Sequence, residues 1–261
     1  MAIDYYHIIR VVFFLLLTTS TAYSQYSFTL VSDQRMFAGQ GIYDTDNYFR
    51  GAISAINLTG KGAFMISPGD IDPVSASDWT IEQILGSDYQ WYPVVGNHEL
   101  PFEGTETYPG ENIHFLSEFN TDINGLGTPP DIVNPGPEGC PQTTYSFDYD
   151  QSHIVVINEY CDSSGNDVTS GDIPDHLYNW LANDLQSTSQ PLLFVAGHEP
   201  AYPQPDLDNG RLRHSHDSLN EKSANRDRFW QLLTSHGVLA YFCGHTHNFS
   251  AVRIDNVWQI D

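Results

Sequence analysis

Apolar residues along this chain fall into two rhythms. Short unbroken apolar runs at 63–66, 91–95, 192–196 and 238–242 are each followed within a few residues by glycine, and they read as strands. A further strand is expected at 27–31. Residues 144–149 and 153–157 alternate or run apolar around Asp150-Gln151, the pattern of a hairpin. The stretch 250–260 reads as two short strands around Asp255-Asn256. Helical spacing appears at 47–58, through Tyr48, Ala52, Ala55 and Ile56, and at 78–85, which opens on a capping-type Asp78. It recurs at 174–185, with Pro174 as the first helical residue and Leu177, Trp180, Leu181 and Leu185 on one side, and again at 224–236. Strands alternating with helices predict an α/β domain.

Two stretches break the rhythm. Residues 103–141 are rich in Gly, Pro and Asn, with one short helix expected at 112–119, and residues 200–220 are polar. Long irregular segments beside a motif are often substrate loops. At 261 residues the chain suits one large domain with loop insertions, and it shows no internal repeat. The last strand runs to the final residue without a closing loop, so the domain is expected to continue past Asp261.

Charge narrows the partners. The formal net charge is −23, with only two lysines. A chain without a basic stripe is not built to hold a nucleic-acid backbone, and it is repelled by anionic membranes. At the N-terminus, Arg10 precedes an apolar run at 11–17, and small residues at Ala22 and Ser24 suit cleavage before Gln25. The run is well short of the roughly 20 residues of a membrane span. Residues 1–24 are therefore expected to be a signal peptide. The mature chain, 25–261, is expected outside the cytoplasm, secreted or periplasmic, with no stable membrane anchor. Three cysteines leave two readings open. Cys140 and Cys161 pair in an oxidising compartment, or all three are free thiols; Cys243, inside an apolar strand, is expected in the core.

Each apolar run delivers a small residue joined to a metal-capable one: Gly69-Asp70, Gly96-Asn97-His98-Glu99, Gly197-His198-Glu199-Pro200 and Gly244-His245-Thr246-His247. Side chains at the ends of neighbouring strands converge on one edge of a sheet. In an extended segment His245 and His247 share a face. Carboxylate, carboxamide and imidazole donors suit Mn, Fe or Zn.

These motifs, in this order, resemble the calcineurin-like metallophosphoesterase superfamily. The resemblance implies a four-layer αββα sandwich of two mixed sheets flanked by helices, and two divalent metal ions. It places Asp33 and His247 on metal one, Asp70 as the bridge, and Asn97, His198 and His245 on metal two. His98 becomes the general acid or charge stabiliser rather than a ligand. A hydroxide activated by the ion pair would attack a small-molecule or lipid phosphate ester. The family commonly has Asp-x-His at its first motif, and here Asp33-Gln34-Arg35 replaces it, so one histidine of metal one is missing. Arginine has no lone pair to give. Gln34 could supply a carbonyl oxygen instead, and Arg35 could contact substrate phosphate, as could His214 and His216. The purple acid phosphatase branch shares the GNHE string, but its metal-binding Tyr is Pro73 here, so no tyrosinate–iron charge transfer is expected.

Glu99 and Glu199 are expected to support the fold or the ligands. Asp72 reads as a loop or cap carboxylate, and Asn158-Glu159-Tyr160 as part of the pocket wall. Two other functions stay open on sequence alone. One is a phosphodiesterase acting on nucleotides or phospholipid head groups. The other is a non-catalytic binding relative with a damaged first metal site. Oligomeric state is not legible.

Overall fold

The computed structural model describes residues 25–34, 41–71, 73–100, 116, 132–161 and 170–261. The expected signal peptide, Arg35, Asp72 and all but Leu116 of the helix expected at 112–119 lie outside those residues.

Two sheets form the centre. The smaller joins β1 (Thr29–Leu30), β2 (Phe64–Ser67) and β3 (Gln90–Pro93), all parallel. The larger has seven strands in the order β4-β5-β6-β7-β8-β10-β9. They are β4 (Asn134–Pro135), β5 (Tyr145–Tyr149), β6 (Ser152–Val156), β7 (Leu192–Ala196), β8 (Ala240–Phe242), β9 (Ala251–Ile254) and β10 (Val257–Ile260). Strands β6, β7, β8 and β10 run parallel, so β6, β7 and β8 deliver the residues after them to one edge. Four α-helices are present among the described residues: α1 (Phe49–Thr59), α2 (Val74–Leu85), α3 (Asp175–Ser187) and α4 (Ser223–His236).

Alternation along the strands builds the layers, because successive side chains leave a strand on opposite faces. Phe64 and Ile66 of β2 pack with Ile154 and Val156 of β6 and Phe242 of β8, in a core shared by both sheets. Met65 turns the other way, to Ile53 of α1 and Ile81 of α2. Val155 and Tyr241 likewise face Leu177 and Leu181 of α3 and Phe229 of α4. One face of each sheet therefore shares a core with helices, and the other faces share a core with one another.

Several boundaries differ by a residue or more, four of them as follows. Strand β1 holds two residues, not the five expected. Helix α2 starts at Val74, so Asp78 lies one turn inside it. Pro73, with φ −81°, sets the entry, and Val74 is buried at once in the small-sheet core. Pro174 is the cap of α3 rather than its first residue. Strand β8 begins at Ala240, two residues later than expected. Both hairpin turns sit where expected, with left-handed φ at Asp150, Asp255 and Asn256. Cys140 and Cys161 form a disulfide that ties the segment before β5 to the one after β6, and Cys243 is a buried free thiol. No helix among the described residues is long and apolar enough to cross a membrane.

Candidate metal centre

The segments after β1, β2, β3, β7 and β8 meet at one edge. Asp33, Asp70 and His247 present ligand atoms all within 4.8 Å of one another, and so do Asp70, His198 and His245. Asp70 belongs to both groups, which is the bridging position. Asn97 Oδ1 lies 3.2 Å from His198 Nε2 and 3.2 Å from His245 Nδ1, completing the second group.

The backbone is strained where these side chains are aimed. Eight non-glycine residues with positive φ are found among those described. Three occupy the hairpin turns; the other five are Asp33, Asp70, His214, His245 and His247. A left-handed non-glycine residue costs on the order of 1–3 kcal/mol and persists only where surrounding structure imposes it. Close approach explains the motif glycines. A Cβ on Gly69 would stand 2.4 Å from His198 Nδ1, on Gly96 2.3 Å from the Asp70 nitrogen, on Gly197 2.3 Å from Glu159 Oε1, and on Gly244 2.0 Å from Ser32 Oγ.

Buried acids hold the loops from beneath. Glu99 accepts hydrogen bonds from the backbone N–H groups of Gly96 (2.6 Å), Asp70 (3.0 Å) and Ile71 (2.8 Å). Glu159 accepts from the N–H of His198 (3.1 Å) and Glu199 (2.7 Å) and from the Tyr241 hydroxyl. Glu199 accepts from Tyr160 and Gly171, 2.9 Å each. Burial and the neighbouring carboxylate push Glu159 up, and burial raises Glu199. The supporting role expected for Glu99 and Glu199 holds, and Glu159 shares it.

The histidine nitrogens show how each ring is set. His198 Nδ1 donates to the Pro68 carbonyl at 2.7 Å, which leaves the Nε2 lone pair facing Asn97 and Asp70. His245 Nε2 donates to the Asp217 carbonyl at 2.9 Å, which leaves Nδ1 facing Asn97. Burial lowers His198 to about 4 and His245 to about 3, so both rings are neutral donors near pH 7. Asp33 is pushed well above the usual carboxylate range by burial and by the charge of Asp70. Two acids held together and two neutral imidazoles with lone pairs turned inward fit a cation. His247 differs. Its Nδ1 lies 2.9 Å from Arg213 Nη1, a group that only donates, so the ring proton sits on Nε2, 3.6 Å from Asp33 Oδ1.

The remaining expectations divide. His98 stands beside the centre, with its N–H on Asp70 Oδ1 at 3.1 Å and its Nε2 3.8 Å from Asp70 Oδ2. His214 joins the site: its ring centroid is 4.4 Å from that of His245, and Asp217 Oδ2 fixes its Nδ1 at 2.8 Å. His216 is exposed and is not brought in. Gln34 Nε2 reaches Ser77 of α2 at 3.4 Å, and its Oε1 is buried without a hydrogen-bond partner among the described residues. Asp217 and Arg213 were not singled out from sequence. Their positions flanking His214 in the chain were the available signal.

A profile of the calcineurin-like phosphoesterases matches residues 28–249, and that span includes every ligand candidate above. The chain belongs to the calcineurin-like phosphoesterase family. Solved structures agree at the level of fold. A purple acid phosphatase from yellow lupin (Lupinus luteus) seeds is 15% identical, with a TM-score of 0.55 over 91% of this chain and 44% of that one. The structure of PhoD is 13% identical, with a TM-score of 0.51 over 88% of this chain and 55% of that one. The chain thus spans about half the length of these two calcineurin-like structures. No curated protein sequence matches it.

Proposed function

We propose that this chain is an exported, metal-dependent phosphoesterase that hydrolyses a small-molecule phosphate ester. The observation that carries the reading is the inward convergence of Asp33, Asp70, Asn97, His198, His245 and His247, with Asp70 common to two ligand groups. Asp33, Asp70 and His247 would hold one divalent ion, His247 once Arg213 releases its Nδ1 and the ring proton moves there from Nε2, and Asp70, Asn97, His198 and His245 would hold a second; Mn, Fe or Zn suits these donors. Bound ions of this kind polarise phosphoryl oxygens and make a coordinated water acidic.

The chain's own groups do the rest. His98 is partly exposed, and its backbone N–H is held by Asp70, so its ring stands over the centre where a leaving oxygen needs a proton. Pro68, Asp217 and Glu159 fix the orientations of His198 and His245, which reduces reorganisation during the reaction. The Cys140–Cys161 disulfide supports an oxidising compartment, in keeping with the N-terminal apolar run.

The test is turnover by the chain from Gln25 onward, loaded with manganese, on a chromogenic monoester and a chromogenic diester, with His98→Ala as control. Metal-dependent hydrolysis, reduced about 100-fold or more in the control, is expected for loss of a general acid. The better substrate assigns the ester class. A folded, manganese-loaded chain that hydrolyses neither ester is a binding relative, and the proposal fails.

A further inference from the structure

The segment 206–213 closes as a tight turn on Asp206, whose N–H bonds the Arg211 carbonyl at 2.9 Å. It is fastened to the residues just past the metal centre. Leu207 N–H donates to the Phe249 carbonyl at 2.9 Å, Asn248 Nδ2 to the Arg211 carbonyl at 3.1 Å, and Arg211 Nη2 to the His247 carbonyl at 3.2 Å. Two chemistries meet on this strap. One is cationic: Arg213 reaches the His247 ring, and Arg211 lies along the same edge. The other is apolar: Leu207, Leu212 and Phe249 are 59%, 49% and 59% exposed.

Arg50, Arg226 and Arg228 each pair with an aspartate, whereas Arg211, Arg213 and Arg253, among the described residues, form no ion pair with a carboxylate; of these three, Arg213 is the one that reaches the ring of a ligand candidate. Its partner is a neutral ring nitrogen. A guanidinium gains more from a doubly charged oxyanion, which accepts two charge-assisted hydrogen bonds, than from an imidazole. Leu207 is joined through its backbone to Phe249, two residues past His247, and exposed apolar side chains held together in this way are otherwise a solubility liability.

We propose that this strap reads the substrate, with Arg213 taking the phosphate and Leu207, Leu212 and Phe249 taking an apolar alcohol or phenol group, so that the substrate is a small phosphate ester of an apolar alcohol. The inference rests on the phosphoesterase reading and deepens it. A membrane-borne substrate is disfavoured, because an anionic surface would approach a chain of net charge −23.

The test is calorimetric titration of the manganese-loaded protein with phenylphosphonate and methylphosphonate, which share the anion and cannot be turned over as esters. Phenylphosphonate is expected to bind about tenfold more tightly, from partial burial of one ring. Phe249→Ser and Leu207→Ser should each narrow that preference and leave methylphosphonate binding unchanged. Arg213→Met should weaken both ligands about tenfold or more, with Arg213→Lys between. Manganese content and circular dichroism verify each variant. Equal binding of the two phosphonates, unaltered binding by Arg213→Met, or no binding to the wild type overturns the inference. Selective binding without hydrolysis of phenyl phosphate would sink the phosphoesterase reading and leave the strap reading the same chemistry in a bound ligand rather than in a substrate.

Discussion

Replacing Glu99 by glutamine changes one oxygen to NH2 beneath the centre. The carboxylate is fully buried and accepts from three backbone N–H groups: Gly96 and Asp70 on Oε2, Ile71 on Oε1. If the amide oxygen takes the Oε2 place, two of those bonds survive without charge assistance, and the amide nitrogen faces the Ile71 N–H across 2.8 Å, donor against donor. The reverse orientation orphans two donors instead of one. An unsatisfied buried donor costs about 1–3 kcal/mol, and each bond that loses its charged acceptor about 1 kcal/mol more. The sum is about 3–5 kcal/mol, which lowers the melting temperature roughly 6–20 °C for a domain near this size. Asp70 and Asn97 hang from the same loops, so manganese affinity should fall about 10–100-fold. Differential scanning fluorimetry and manganese titration read both quantities. A melting temperature within about 1 °C of wild type, or unchanged manganese affinity, would refute the claim that Glu99 aligns the ends of β2 and β3.

Gly244→Ala places a methyl group 2.0 Å from Ser32 Oγ and 2.6 Å from Asp33 Oδ2, so the Ser32–Asp33 hydrogen bond must break. It should cost about 1–3 kcal/mol and weaken metal binding at Asp33, as seen by titration; a variant of wild-type affinity contradicts the close approach. His153 is buried in β6 between Asp148 (2.7 Å) and Asp184 (2.8 Å). Burial works to lower its pKa, but the two carboxylates outweigh burial and raise it above 6.5. A raised folded-state pKa stabilises fully below pH 6.5 and is lost as pH rises through the folded value. The stability difference between wild type and His153→Gln, from urea melts, should therefore shrink as pH rises above 6.5; a flat difference contradicts the ion pairs. Cys140→Ser with Cys161→Ser opens a loop with a sequence separation of 21, which should cost about 3 kcal/mol in urea unfolding; an unchanged midpoint would show that the bridge does not constrain the chain.

Much of the fold was legible because it is local. Strand β7 lies where its apolar run placed it, and both hairpins turn on Asp and Asn residues that tolerate left-handed φ. The start of α2 was misread because Asp78 carries a capping side chain, while the real entry is set by Pro73 and the immediate burial of Val74. Asp33 follows Ser32 and came only with the family resemblance, whereas Asp70, Asn97, His198 and His245 were legible because each follows a strand and a glycine. Their supports were not. Glu159 meets the backbone of His198 across 39 positions, and Arg213 meets His247 across 34; such contacts leave no period in the sequence. His216 has the same residue type as His214, two positions away, yet only His214 turns to the site, where Asp217 holds it.

The central claim is that Asp70 bridges two ions held by these ligands. Manganese bound per chain, measured by mass spectrometry of metals after gel filtration, tests it most directly for wild type, Asp70→Asn and His198→Ala. The account predicts two equivalents in the wild type, loss from both sites in Asp70→Asn, and retention of only the Asp33–His247 ion in His198→Ala. A folded wild type that binds no manganese, or an Asp70→Asn variant that keeps its full complement, would contradict it.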